Sequence, residues 1–223
     1  MKKIMTKRLA VYAVAAALLV TSLTACIPLV MGGAVVGGTL VANDRRTSGA
    51  QLEDEGIELR SNSRIRSNIG ERVHVNVNSY NRQVLLTGEV PSAQDKMLVE
   101  QIVSKVENVT TVVNELAVMG NSTLTQRSSD VLVTGRVKAM LVDAKDLFAN
   151  SFRVVTERGT TYLMGRVTQR EADRGTAVAR ATPGVQKVVR IFDIISEEDL
   201  ARQLPAPAKA PAQTPTEAKP AGG

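Results

Sequence analysis

The chain has one histidine, one cysteine and no tryptophan in 223 residues, with only three phenylalanines and three tyrosines. A lone His and a lone Cys cannot build Cys/His metal sites or a Ser-His-Asp arrangement. His74 falls on an expected strand, where a solvated side chain is the plainer reading than a catalytic base. Glu197 and Glu198 stand at the edge of a tail and need no special role. No Gly-rich loop of the phosphate-cradling kind occurs. Nucleic-acid binding needs a basic, aromatic-bearing face, and the scattered Phe and Tyr do not supply one. No catalytic residue, metal, cofactor, small-molecule substrate or nucleic acid is therefore expected. The single Cys also has no internal disulfide partner.

What is present begins with an export signal. Lys2, Lys3, Lys7 and Arg8 precede an apolar run over 9–23, and Thr24-Ala25 stands before Cys26. Positive, apolar and small-residue segments in that order read as a secretory signal peptide over 1–25, not as a membrane span. Leu23-Thr24-Ala25-Cys26 resembles the bacterial lipobox, which implies acylation of Cys26 as the first mature residue and accounts for the odd thiol. Ile27-Pro28 follows, without Asp at the next position. That resemblance implies an outer-membrane, lipid-anchored protein facing the periplasm. The precursor's net charge of +6 includes four basic residues of the signal. Without them the balance is 24 basic against 22 acidic residues, so charge alone does not argue for nucleic acid.

Residues 26–50 hold the Cys and a Gly/Ala-rich linker. Its apolar run over 27–42 would rise about 24 Å as a helix, short of a hydrocarbon core of ~30 Å. It reads as a surface-hugging spacer, with a re-entrant or oligomerising segment as the alternative. At the other end, 203–223 is Pro- and Ala-rich, unable to bury a core, and reads as a disordered linker.

Between these lies an internal repeat. Leu86-Thr87-Gly88-Glu89-Val90 matches Leu163-Met164-Gly165-Arg166-Val167 at an offset of 77, and Val109–Val113 matches Val185–Val189 at an offset of 76. A one-residue gap in the intervening helix reconciles them. Each copy shows helix periodicity (51–69 and 129–142), a strand pair (72–79 with 83–90, 152–157 with 160–167), a second helix, and a closing strand (109–118, 185–194). Tyr80-Asn81-Arg82 and Arg158-Gly159 suit tight hairpins. Ser92 to Asp95 and Thr168 to Glu171 have capping-box spacing. Leu98, Ile102 and Val106 then recur at four-residue intervals as one helix face. The unit is α-β-β-α-β, an α+β class with a mixed three-stranded sheet and two helices on one face. The expected domains are 51–120 and 125–196.

That unit resembles the BON domain, through Leu86-Thr87-Gly88-Glu89-Val90 and the run Val109 through Leu116 with Asn114 in the Asn position. The second copy departs there, with Arg190 and Phe192. A lipobox with two such domains is similar to the dual-BON outer-membrane lipoproteins of the YraP/DolP group, as is the Asp44-Arg45-Arg46-Thr47 run. The resemblance implies binding of anionic phospholipid through the second domain, above all its first helix. It also implies support of envelope integrity and cell division, without catalysis. The alternative is a periplasmic protein–protein adaptor for division, peptidoglycan-remodelling or outer-membrane assembly machinery.

Charge separates the copies independently. Residues 51–126 carry 7 basic and 10 acidic groups, and residues 127–196 carry 12 and 7, so net −3 stands beside net +5. Basic groups near an anionic surface are worth about 1 kcal/mol each, screened within a Debye length. A +5 domain on a lipid tether is placed to dwell on anionic headgroups, with scattered charge that merely keeps the fold soluble as the alternative. Within 129–142, Val133, Val137, Met140 and Leu141 share the expected core side. Val131, Leu132, Gly135, Ala139 and Val142 fall mostly opposite, beside Arg136 and Lys138. A helix apolar on both sides either meets lipid or packs twice, here on the first domain or another subunit. By that resemblance, a member of the group has Trp where alignment puts Leu132. Leucine lacks the interfacial preference of an indole, which lowers the expected membrane affinity.

Overall fold

A computed structural model describes residues 44–203. The signal peptide, Cys26, the spacer up to residue 43 and the Pro-rich tail lie outside the described residues. The first copy runs α1 (Ser48–Ile69), β1 (His74–Tyr80), β2 (Gln83–Val90), α2 (Ala93–Ser104), β3 (Thr111–Asn114) and β4 (Ala117–Val118). The second runs α3 (Leu124–Asp143), β5 (Phe152–Glu157), β6 (Thr160–Thr168), α4 (Gln169–Ala181), β7 (Lys187–Ile195) and a short α5 (Glu197–Gln203).

In each copy a two-residue turn joins an antiparallel pair, because Tyr80 faces Gln83 and Glu157 faces Thr160. The turn residues Asn81, Arg82, Arg158 and Gly159 all have positive φ, the geometry that follows the right-handed strand twist. Three of them are not glycine, and the fold compensates in the same way twice. Asp54 of α1 accepts from the backbone N–H groups of Asn81 and Arg82 at 2.7 and 2.8 Å. Asp130 of α3 accepts from those of Arg158 and Gly159 at 2.8 and 3.0 Å. Each lead helix thus holds its own hairpin by a buried carboxylate.

The second helix of each copy is a crossover, so β2 pairs in parallel with β3 and β4, and β6 with β7. The sheet orders are β1-β2-β3 and β5-β6-β7, mixed as expected. The first closing strand is not continuous. The Asn114 side chain accepts from the Leu116 N–H at 3.2 Å, which breaks the ladder and leaves four strands in place of three. The helix after β2 is rotated slightly from the expected face: Val106 is buried and Ile102 packs against the core as expected, but Leu98 does not. Val99 and Val103 are fully buried while Leu98 is exposed, because Asp95, capped by Ser92, points inward and sets the rotation. The gap between copies sits at Pro91, ahead of that helix, since the Ser92 and Thr168 caps already align.

The repeated glycines have a steric cause. A Cβ on Gly88 would lie 2.1 Å from the His74 carbonyl oxygen, and one on Gly165 would lie 2.3 Å from that of Ser151. Any larger residue pushes the strand pair apart.

Alternation splits β2 between two cores. Val84, Leu86 and Val90 face the helices with Ile57, Val99 and Val103. Leu85 faces the other way, packed with Tyr80 against Tyr162, Met164 and Ile191 of the second copy. The two sheets therefore bury their backs against each other, with the helices outward. Burying such an aliphatic side chain contributes about 1.5–3 kcal/mol.

Candidate functional site

Helix α3 starts one turn earlier than the periodicity predicts. Thr123 accepts from the Gln126 N–H, and the Gln126 side chain accepts from the Thr123 N–H, a reciprocal cap. Asp130, Val133, Val137 and Leu141 are the buried face. Met140, placed on the core side by the sequence, is 42% exposed. It lies about 60° from Val137 on the wheel, past the edge of the buried arc.

Every site residue selected from the sequence on α3 stands outward. Val131, Leu132 and Val142 are 69, 61 and 66% exposed with both domains in place. Gly135 and Ala139 are exposed between them, and a Cβ on Gly135 would touch nothing within 4 Å. The first domain does not cover this face, which removes one of the two packing alternatives. The strip is centred about 180° round from Val137. Arg136 and Lys138 flank it about 80° to either side, both exposed. Arg136 donates to the Pro183 carbonyl at 3.5 Å, and neither cation meets a carboxylate among the described residues. Leu124, 79% exposed, extends the strip by two turns. Sequence reasoning missed it for want of the Thr123–Gln126 cap.

The repeat provides an internal control. Asp54, Ile57, Ser61 and Ile65 of α1 are buried as Asp130, Val133, Val137 and Leu141 of α3 are. At that offset Glu55, Gly56, Leu59, Ser63 and Arg66 stand where α3 has Val131, Leu132, Gly135, Ala139 and Val142. One backbone thus presents two surfaces, one mixed and polar, the other apolar.

A polar seam joins the domains beside α3. Glu89 is fully buried and accepts from the Arg158 guanidinium at 2.9 Å, with the His74 ring Nδ1 at 2.8 Å. Burial acts to raise the Glu89 pKa, but the His74 ring, Ser122 and Arg158 outweigh it and hold the carboxyl below its ordinary range. Neighbouring Glu157 goes the other way, pushed up by burial and by the Glu89 charge. Its carboxylate accepts from Asn76 at 3.1 Å. His74 is accordingly a structural partner, not the solvated side chain expected from its strand position.

The Asp44-Arg45-Arg46 run divides between the domains. Arg46 bonds Asp44 and Asp54 at 2.6 Å each and stacks 4.2 Å from the Tyr80 ring centroid. Arg45 crosses to Glu171 as a fork, at 2.6 and 2.8 Å, and donates to the Arg166 carbonyl at 3.3 Å. In the first copy the matching carboxylate, Asp95, is served by Arg72 of the same domain at 2.6 Å. The second copy has Phe148 at that place, and Arg45 stacks on it at 5.4 Å. Among the described residues no cluster of three or more His, Cys, Asp or Glu could hold a metal, and no helix is long and apolar enough to cross a membrane.

Comparison with known proteins matches the BON domain model to residues 53–120 and 129–194. The outer membrane lipoprotein DolP of Haemophilus influenzae is 36% identical over 173 residues, 76% of this chain and 89% of that one. A 21 kDa hemolysin of Actinobacillus pleuropneumoniae is 30% identical over 154 residues, 68% and 79% of the two chains. Among solved structures, the C-terminal domain of CdsD, a type III secretion structural protein of Chlamydia trachomatis, superposes with TM-score 0.27 and 15% identity, covering 68% of this chain and 100% of that one.

Proposed function

Because this chain belongs to the BON-domain family, with two copies of the domain, we propose that it is an outer-membrane lipoprotein whose α3 face binds anionic phospholipid. It carries no catalytic role in this reading, and it supports envelope integrity and cell division from the periplasmic face. Cys26 is the acylation site, and Val131, Leu132, Gly135, Arg136, Lys138, Ala139 and Val142 are the contact residues. The carrying observation is the contrast between the outward faces of α1 and α3 on the same fold.

The chemistry follows from that face. From Leu124 to Val142 the strip is about 27 Å long. Laid flat in an interface, it buries its apolar groups at the acyl boundary while Arg136 and Lys138 reach phosphates on either side. The net +5 of residues 127–196 adds long-range attraction, to which the net −3 of 51–126 does not contribute.

Leu132→Asp tests this against Val137→Asp. Leu132 is exposed, so its substitution should change stability by no more than about 0.5 kcal/mol while removing binding to anionic vesicles. Val137 is fully buried, and a carboxylate there should unfold the domain. A stable Leu132→Asp chain that binds vesicles as well as the parent overturns the assignment.

A further inference from the structure

Beside the α3 strip lies an open groove of about 700 Å³, walled by the Asp44-Arg46 strap, β1 and the C-terminal half of α3. Asp44, Arg46, Asn78, Lys138, Val142 and Arg153 line it; Arg46 is paired with Asp44 and Asp54 and Arg153 with Glu58, which leaves Lys138 as its one cation without a carboxylate among the described residues. Its acceptors are already taken. The Asp44 carboxylate is held by Arg46 at 2.6 Å, and the Asn78 side-chain oxygen accepts from Arg153 at 3.0 Å. Its donors are not. With its oxygen fixed on Arg153, the Asn78 amide NH2 makes no hydrogen bond among the described residues, and Lys138 meets no acceptor among them. A groove with spent acceptors and open donors, one of them an unpaired ammonium, fits a ligand that only accepts and is negative. Val142 belongs to both the groove and the strip.

We infer that this groove is a phosphate-ester subsite in which Lys138 of the second domain and Asn78 of the first receive the headgroup of one anionic lipid. The inference rests on the membrane reading of α3 and deepens it. The first domain becomes one wall of the lipid site instead of a bystander. The acyl part of the bound lipid leaves past Val142 toward the strip, so headgroup and chain are read by different domains.

The test uses the chain with Cys26→Ser, so that no acyl group contributes, and vesicles of phosphatidylcholine with or without phosphatidylglycerol. Asn78→Asp retains an acceptor for Arg153 and so keeps the wall in place, but exchanges a donor for a negative charge. Association with phosphatidylglycerol vesicles should fall roughly five- to tenfold, without a drop in melting temperature. Asn78→Ala, which removes the amide donor without adding charge while Arg153 keeps Glu58 and the Ser79 carbonyl, should also lower association and covers the case in which Asn78→Asp misfolds. If Leu132→Asp abolishes association while both groove variants bind normally, the groove is overturned and the α3 reading stands. If none of the three variants loses association, the α3 reading itself falls. The source of the phosphate is read from the Asn78 side-chain amide resonance. A shift with dihexanoyl phosphatidylglycerol and none with inorganic phosphate at equal ionic strength assigns a lipid. The reverse assigns free phosphate and overturns the lipid subsite, and no shift with either overturns the groove.

Discussion

Replacing Arg45 with Met is the sharpest perturbation the fold offers. The Arg45 and Glu171 side chains are 7 and 0% exposed, and the fork between them is the only cationic contact Glu171 has among the described residues. Methionine keeps most of the stem but leaves a buried carboxylate held only by the Thr168 N–H at 3.0 Å. Breaking a buried ion pair from one side costs about 3–5 kcal/mol, a large share of a typical stability of about 5–15 kcal/mol. For a unit of this size that is a melting-point drop of roughly 6–20 °C. The double variant Arg45→Met/Glu171→Gln should recover most of it, because the buried charge is then gone and the amide can still cap α4. The pH dependence has a definite sign. Burial works to raise the Glu171 pKa, but Arg45 and the Thr168 N–H outweigh it and leave it lowered. Its contribution is therefore present above the unfolded carboxyl pKa and is lost as pH falls through the folded one. The gap between parent and Arg45→Met should accordingly be widest at neutral pH and narrow in acid. Urea denaturation across that range measures it. A loss below about 1 kcal/mol at neutral pH, the scale of a surface pair, would refute the argument.

Glu157→Gln should stabilise the chain at neutral pH and lose that advantage in acid. The parent carboxyl is raised, so its favourable protonated form is present at low pH and lost as pH rises through the folded value; denaturation midpoints at several pH values check this. Gly165→Ala should cost roughly 2–3 kcal/mol by forcing a Cβ against the Ser151 carbonyl, and a thermal melt within a degree of the parent contradicts the close approach. Cys26→Ala should move the protein to the soluble periplasmic fraction and remove lipid label, and retention in the outer membrane without label in the parent dismisses the anchor.

Patterns confined to neighbouring residues were legible in the sequence. The two strand pairs, the Gly88 and Gly165 motifs and the two hairpins all report local backbone demands, and β2 and β5 begin and end where the pattern says. The outward set on α3 was equally legible, because 3.6-residue periodicity separates opposite faces well even when both are apolar. It separates adjacent residues poorly, which is why Leu98 displaced Val99 and Met140 joined the core. What escaped was long-range pairing. Nothing near Arg45 in the chain announces Glu171, 126 residues away, or that a second-domain residue has Phe148 where the first has Arg72. His74 pairs with Glu89, which faces it on the same hairpin, but that carboxylate is buried only once Arg158 of the other copy joins it. The groove wall at Asn78 was invisible too, because it exists only once the two sheets are back to back.

The strap bears on the order in which the molecule can be completed. Arg45 comes first in the chain and Glu171 nearly last, so a chain emerging N-terminus first carries an unmatched guanidinium until the start of α4 has appeared. The first domain can close its own core before then, since Asp95 finds Arg72 locally. The second cannot finish from its own residues at any stage. Completion is therefore signalled from the far end of the polypeptide, and a chain cut short before residue 171 keeps Arg46 on Asp54 but leaves Arg45 without its carboxylate.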